Sequence, residues 1–178
     1  IGSFGFSVKK GSKYEYLVDD FNKALAEMKE DGTYETIMNK WFGSSDSSES
    51  TDYSSRLNLT GSVTAKATPV KSSYTIVSDS SFAPFEYQDE SGKYVGIDME
   101  LIKAIAEQQG FTITIQNPGF DAALNAVQAG QADAVIAGMS ITDARKEIFD
   151  FSDAYYSSNI LLAVKNGSDI ASYEDLKG

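Results

Sequence analysis

From Tyr74 onward the sequence repeats one unit: a short apolar run, a loop, an amphipathic helix and a glycine. Tyr74-Thr75-Ile76-Val77 has the β-branched and aromatic content of a strand, and Phe111 to Ile115 reads as a second. Ala134-Val135-Ile136-Ala137 is a third, almost wholly apolar, as in a strand buried on both faces of a parallel sheet. Met99, Ile102, Ile105 and Ala106 recur at helical spacing behind Asp98 as the expected cap, and Gly110 ends that helix. Asp121 is expected to cap a helix carrying Leu124 and Val127, closed by Gly130, and Thr142 to cap a short one beginning at Asp143. Asn159 to Val164 reads as a last strand, and Ser172 to Leu176 as a helix start. This βαβαβ order predicts an α/β fold, an open and mostly parallel sheet with helices on both faces.

The first 43 residues have a different character. Phe4-Gly5-Phe6-Ser7-Val8 alternates like a strand. Leu17, Phe21, Leu25 and Met28 then form a helical stripe that Gly32 should end, and Thr33 is placed to cap a second helix bearing Tyr34, Ile37, Met38, Trp41 and Phe42, closed by Gly43. One strand and two helices cannot bury both stripes alone, so this segment must pack on something else. Between the two parts, residues 44–73 hold ten serines and four threonines with little apolar periodicity, which reads as a linker.

Composition excludes whole classes of chemistry. The chain has no cysteine and no histidine. That removes disulfides, thiol nucleophiles, Cys or His metal sites and a Ser-His-Asp triad, so neither a metal nor a cofactor is expected. Net charge is −11, of which −10 falls in residues 74–178, so nucleic acid is not an expected partner. No apolar run approaches the ~20 residues of a membrane span, and no secretory leader opens the chain. Compartment stays open on composition, because a chain without cysteine tolerates either redox setting.

In an open α/β sheet, ligands bind beyond the carboxyl ends of the strands. Two loops lie there: Ser78 to Phe85 and Gly138 to Arg145. In the second, a helix start offers unpaired N–H groups, and Arg145 adds a forked cation able to grip a carboxylate through two hydrogen bonds. Gly138 admits close approach to the backbone and Ser140 adds a hydroxyl. In the first, Asp79 can accept from a nitrogenous group while Phe82 offers a flat apolar wall. A ligand with a carboxylate at one end and a polar nitrogen at the other matches both, which describes an amino acid. Taken singly, each residue also has a plainer role: an exposed arginine, a turn aspartate, core phenylalanines at 82, 85 and 120.

Several runs in order set these residues apart. Ser78-Asp79-Ser80-Ser81-Phe82-Ala83-Pro84-Phe85-Glu86-Tyr87, Tyr94-Val95-Gly96-Ile97-Asp98, Gly138-Met139-Ser140-Ile141-Thr142-Asp143-Ala144-Arg145 and Phe151-Ser152-Asp153-Ala154-Tyr155-Tyr156 resemble the N-terminal half of an amino-acid-binding protein of an ABC transporter, of the type II periplasmic binding class. The glutamine-binding branch is the nearest by eye. The resemblance implies that Arg145 grips the ligand carboxylate with help from Gly138, Met139 and Ser140, that Asp79 reads the side chain or ammonium, and that Phe82 and Phe120 pack on the ligand. It further implies an extracytoplasmic solute-binding module, in the periplasm or anchored on the outer face of the membrane, that delivers its ligand to an ABC permease. A ligand-sensing receptor domain and a dehydratase-like enzyme are the alternatives on the same architecture.

Residues 1–43 are similar to the other end of such proteins, through Lys9-Lys10-Gly11-Ser12, Asn22-Lys23-Ala24-Leu25, Asp31-Gly32-Thr33-Tyr34 and Lys40-Trp41-Phe42-Gly43. The order is thus an ending, a linker and a beginning, as in a piece cut from tandem binding domains or in a circular permutant. The expectation is that residues 1–43 pack on residues 74–165 and complete one lobe in permuted order, with residues 166–178 starting the crossing to a second. A coil of ~30 residues spans about 30 Å, enough to bridge a lobe with a radius of gyration near ~15 Å. An exchanged dimer, with each first segment on a neighbour's sheet, is the competing outcome.

Overall fold

Alternation along the central strands assigns side chains to two opposite cores. The computed structural model describes residues 2–43 and 68–177. Strand β3 (Ser73–Val77) turns Tyr74 and Ile76 to one core and Val77 to the other. In β8 (Ala134–Val135) and the two residues after it, Ala134 and Ile136 face the first core, Val135 and Ala137 the second. An apolar run of this kind needs cover on both faces. Helices α1 (Tyr16–Glu30), α2 (Thr33–Phe42) and α3 (Ile97–Gln109) contribute to the first core, and α4 (Phe120–Gln128) to the second.

The main sheet has the order β7-β3-β8-β2-β9, with β2 at Ser7–Lys9, β7 at Thr112–Gln116 and β9 at Phe149–Phe151. β3 runs parallel to β7 and β8, whereas β2 is antiparallel to both its neighbours. The sheet is therefore mixed but mostly parallel, with one reversed strand supplied by the first segment. That strand brings its helices along: Phe6 stacks on Phe21 of α1 at 4.7 Å, and Tyr34 of α2 donates to Tyr155 O at 2.5 Å. A three-stranded flap, β4 (Ser81–Phe82), β5 (Glu86–Gln88) and β6 (Tyr94–Val95), lies between β3 and α3. A pair formed by β1 (Gly2–Phe4) and β10 (Tyr156–Ser158) completes the strands.

Several expected details differ. The alternating run at 4–8 is two strands, because the chain changes sheets at Gly5 and Phe6. Asp31, Gly32 and Gly96 occupy the helix-terminal positions expected of Gly32, Thr33 and Asp98, and Gly119 replaces Asp121 as the residue before α4. Asn159 to Val164 is not a strand: it lies exposed after β10, with Ile160 and Leu161 about 85% accessible. Ser172 does cap a short 3-10 turn at Tyr173–Leu176. Most of the serine-rich stretch, residues 44–67, lies outside the described residues.

Candidate functional site

The carboxyl ends of β3 and β8 are adjacent in the sheet, so the loops leaving them meet. A Cβ on Gly138 would stand 2.5 Å from the Phe82 ring. Only a residue without a side chain allows that approach, and Gly138 also has φ near +50°. Phe82 is 41% exposed, stacks on Phe85 at 5.4 Å and meets the edge of Phe4 at 6.0 Å. It is an apolar surface held by Phe85, Phe4 and Gly138 and left partly exposed.

Arg145 lies in α5 (Asp143–Lys146), which is a single turn. So short a helix has little macrodipole, and its Arg145 N–H is already bonded to the capping Thr142 Oγ1 at 3.3 Å. The positive charge at this loop is therefore that of the guanidinium and not of a helix end. Its Nη1 donates to Ser140 O at 2.9 Å and its plane centre lies 5.3 Å from the Phe120 ring. One bond and one ring contact orient the fork, and the remaining N–H groups of the five stay available to a carboxylate. Ser140 is tied to β1 through its bridge with Phe4, and Ile141 N–H donates to Ser3 O at 2.7 Å.

Met139 differs from its neighbours. Its side chain is buried in the second core, and its carbonyl accepts from Gly5 N–H at 3.1 Å, so it can serve a ligand only through its main-chain N–H. Asp79 follows β3 and is half-buried; its carboxylate accepts from Ser80 N–H and its carbonyl from the Asn117 side chain, both at 2.7 Å. The loops thus present two groups of residues: Phe82 against Gly138, and Arg145 between Ser140 and Phe120. The described residues contain no cluster of acidic side chains able to hold a metal.

A buried network behind the loops was missed by sequence reasoning. Asp98, expected as a cap, is fully buried in the first turn of α3 and accepts from Gly138 N–H at 2.8 Å and Tyr155 Oη at 2.9 Å. Glu86, also fully buried, lies against it. The available signal was Glu86 itself, an acid set between Phe85 and Tyr87 where β5 enters the core.

A family model for bacterial extracellular solute-binding proteins, family 3, matches residues 5–44 and 74–176. The chain belongs to that family. The family match passes over 45–73, the greater part of the serine-rich stretch. Among curated family relatives, the arginine-binding extracellular protein ArtP of Bacillus subtilis is 42% identical over 97 residues, covering 54% of this chain and 38% of the relative. The histidine-binding periplasmic protein of Escherichia coli is 33% identical over 119 residues, covering 66% and 45%. A solved structure of an ancestral arginine-binding protein bound to glutamine superposes with a TM-score of 0.51 at 41% identity, covering 62% of this chain and 49% of that one. The chain spans less than half the length of these curated relatives.

Proposed function

We propose that this lobe is part of an extracytoplasmic solute-binding module that takes a polar amino acid, glutamine foremost, and delivers it to an ABC permease. The observation that carries the reading is the Arg145 guanidinium, oriented by Ser140 O and the Phe120 ring at the mouth of the β8 loop. An α-carboxylate seated on that fork gains two charge-assisted hydrogen bonds. Gly138, the Met139 main chain and Ser140 line the same loop, Phe82 supplies the apolar wall, and Asp79 accepts from a nitrogen at the far end. Relatives named for arginine and histidine, and a neighbour holding glutamine, support an amino acid as the ligand class. The module acts as a binder rather than an enzyme, anchored on the extracellular face of the cell membrane or in the periplasm.

The described residues form one wall of the site, so this chain is expected to bind more weakly than micromolar. Amide chemical shifts followed during titration with glutamine, arginine or histidine provide the test. Glutamine at millimolar concentration should shift Gly138, Met139 and Ser140, and Arg145→Ala should weaken that response at least about tenfold, because it breaks a charged, hydrogen-bonded pair. A larger response to arginine or histidine would reassign the ligand. An unchanged response in the variant would remove Arg145 from the site.

A further inference from the structure

Two carboxyl groups meet in the core directly behind the start of the β8 loop. Glu86 of β5 and Asp98 of α3 are both fully buried and converge on Gly138: Asp98 Oδ2 accepts its N–H at 2.8 Å, and a Cβ on it would lie 3.7 Å from Glu86 Oε1. Asp98 Oδ2 takes two donors, Gly138 N–H and the Tyr155 hydroxyl. Asp98 Oδ1 and both Glu86 oxygens have no donor among the described residues when both groups are ionised. As two carboxylates they would leave these three oxygens without a donor and repel each other; as an acid and a carboxylate they bond to each other.

We propose that Glu86 and Asp98 share one proton at neutral pH and, as a single anionic unit, position the Gly138 N–H and with it the loop from Gly138 to Arg145. The proton resides on Glu86, because Asp98 already receives two donors that favour its ionised form. Burial, then the charge of Asp98, its hydrogen bond and Asp79 push the Glu86 carboxyl far up. Burial also raises Asp98, but the bonds from Glu86, Gly138 N–H and Tyr155 work against it. The groups facing the pair are Asp79 and Tyr155, and burial and the two carboxyls hold the Tyr155 phenol protonated. Losing the shared proton would place two charges behind Gly138 and disturb the bond that anchors the loop.

The sign of the pH effect follows. Glu86 is protonated in the fold but ionises in the unfolded chain above about pH 4.5. Its contribution to stability is complete below that value and is lost as pH rises toward the raised folded value. Asp98 acts in the same direction over a narrower window. Stability should therefore fall from about pH 5 upward. Glu86→Gln, neutral at every pH and still a donor to Asp98, should at least halve the slope of denaturation midpoint against pH and exceed the wild type at about pH 8.

Carbon-13 carboxyl spectra of the whole wild-type chain test the shared proton directly. A protonated Glu86 at neutral pH is expected, and an ionised one overturns the proposal even if no variant folds. A Glu86→Gln profile as steep as the wild type's also overturns it. Asp98→Asn should move the Gly138 amide resonance, and an unmoved resonance removes the positioning role. The consequence for a ligand rests on the Arg145 reading above. None of these measurements uses a ligand, so failure of one idea is distinguishable from failure of the other.

Discussion

Gly138 of the β8 loop and Gly96 before α3 differ in what surrounds them, and that difference predicts unequal outcomes. A Cβ on Gly96 would lie 2.1 Å from Phe85 O, with φ near +130°. The obstacle is backbone, fixed by Ile97 N–H and Asp98 N–H donating to Pro84 O and Phe85 O at 2.9 Å. A Cβ on Gly138 meets the ring of Phe82, which is partly exposed and can turn away. Gly96→Ala is therefore expected to cost about 3–5 kcal/mol, and Gly138→Ala about 1–2 kcal/mol with a displaced Phe82. Urea denaturation of both variants checks the ranking; equal losses would mean that the backbone at Phe85 yields. The sequence places Gly138 in the loop after the third apolar strand and gives Gly96 no role beyond its place in the run from Tyr94 to Asp98. It misread Asp98, because an acid near a helix start fits a cap as well as a buried acceptor, and the choice depends on Gly138 and Tyr155 arriving from 40 and 57 residues away.

At the scale of elements, periodicity was informative wherever a helix had one buried face. Leu17, Phe21, Leu25 and Met28 line the core side of α1 as their spacing requires, and Ile102, Ile105 and Ala106 do so in α3. It failed for Asn159 to Val164, since an apolar run records a preference for burial without recording what will cover it. β9 was missed because Phe149-Asp150-Phe151 is three residues long and gains its place from pairing with Ser7 to Lys9. Within the first segment, α1 is held against the strand β2 by the nearly parallel stack of Phe6, the residue before β2, on Phe21. Both rings are almost fully buried, so Phe21→Ala should leave a cavity and cost about 3–5 kcal/mol. A denaturant midpoint within error of the wild type would mean that α1 does not depend on β2 for its place.

At the scale of the whole molecule, β2 decides how the two parts of the chain must be joined. It lies inside the sheet, bonded to β8 on one side and β9 on the other, so removing it would open two strand edges and uncover Phe6 and Val8. Either the same chain or a neighbour has to fill that slot. A linker of about 30 residues, as expected from the sequence, would span about 30 Å as a coil and would hold its ends at an effective concentration in the millimolar range. At micromolar protein, docking within one chain is then favoured about a thousandfold over docking between two. The small charge of the first segment, −1 against −10 for residues 74–178, adds no strong repulsion to oppose it. Light scattering at a few micromolar is thus expected to give the mass of one chain. Cleavage at a protease site inserted between residues 44 and 67 should leave two pieces that elute together, because β2, Phe6 and the Tyr34 bond to Tyr155 O hold without the connection. A two-chain mass that survives dilution would mean that the slot is filled by exchange, and pieces that separate would mean that the docked segment depends on its tether.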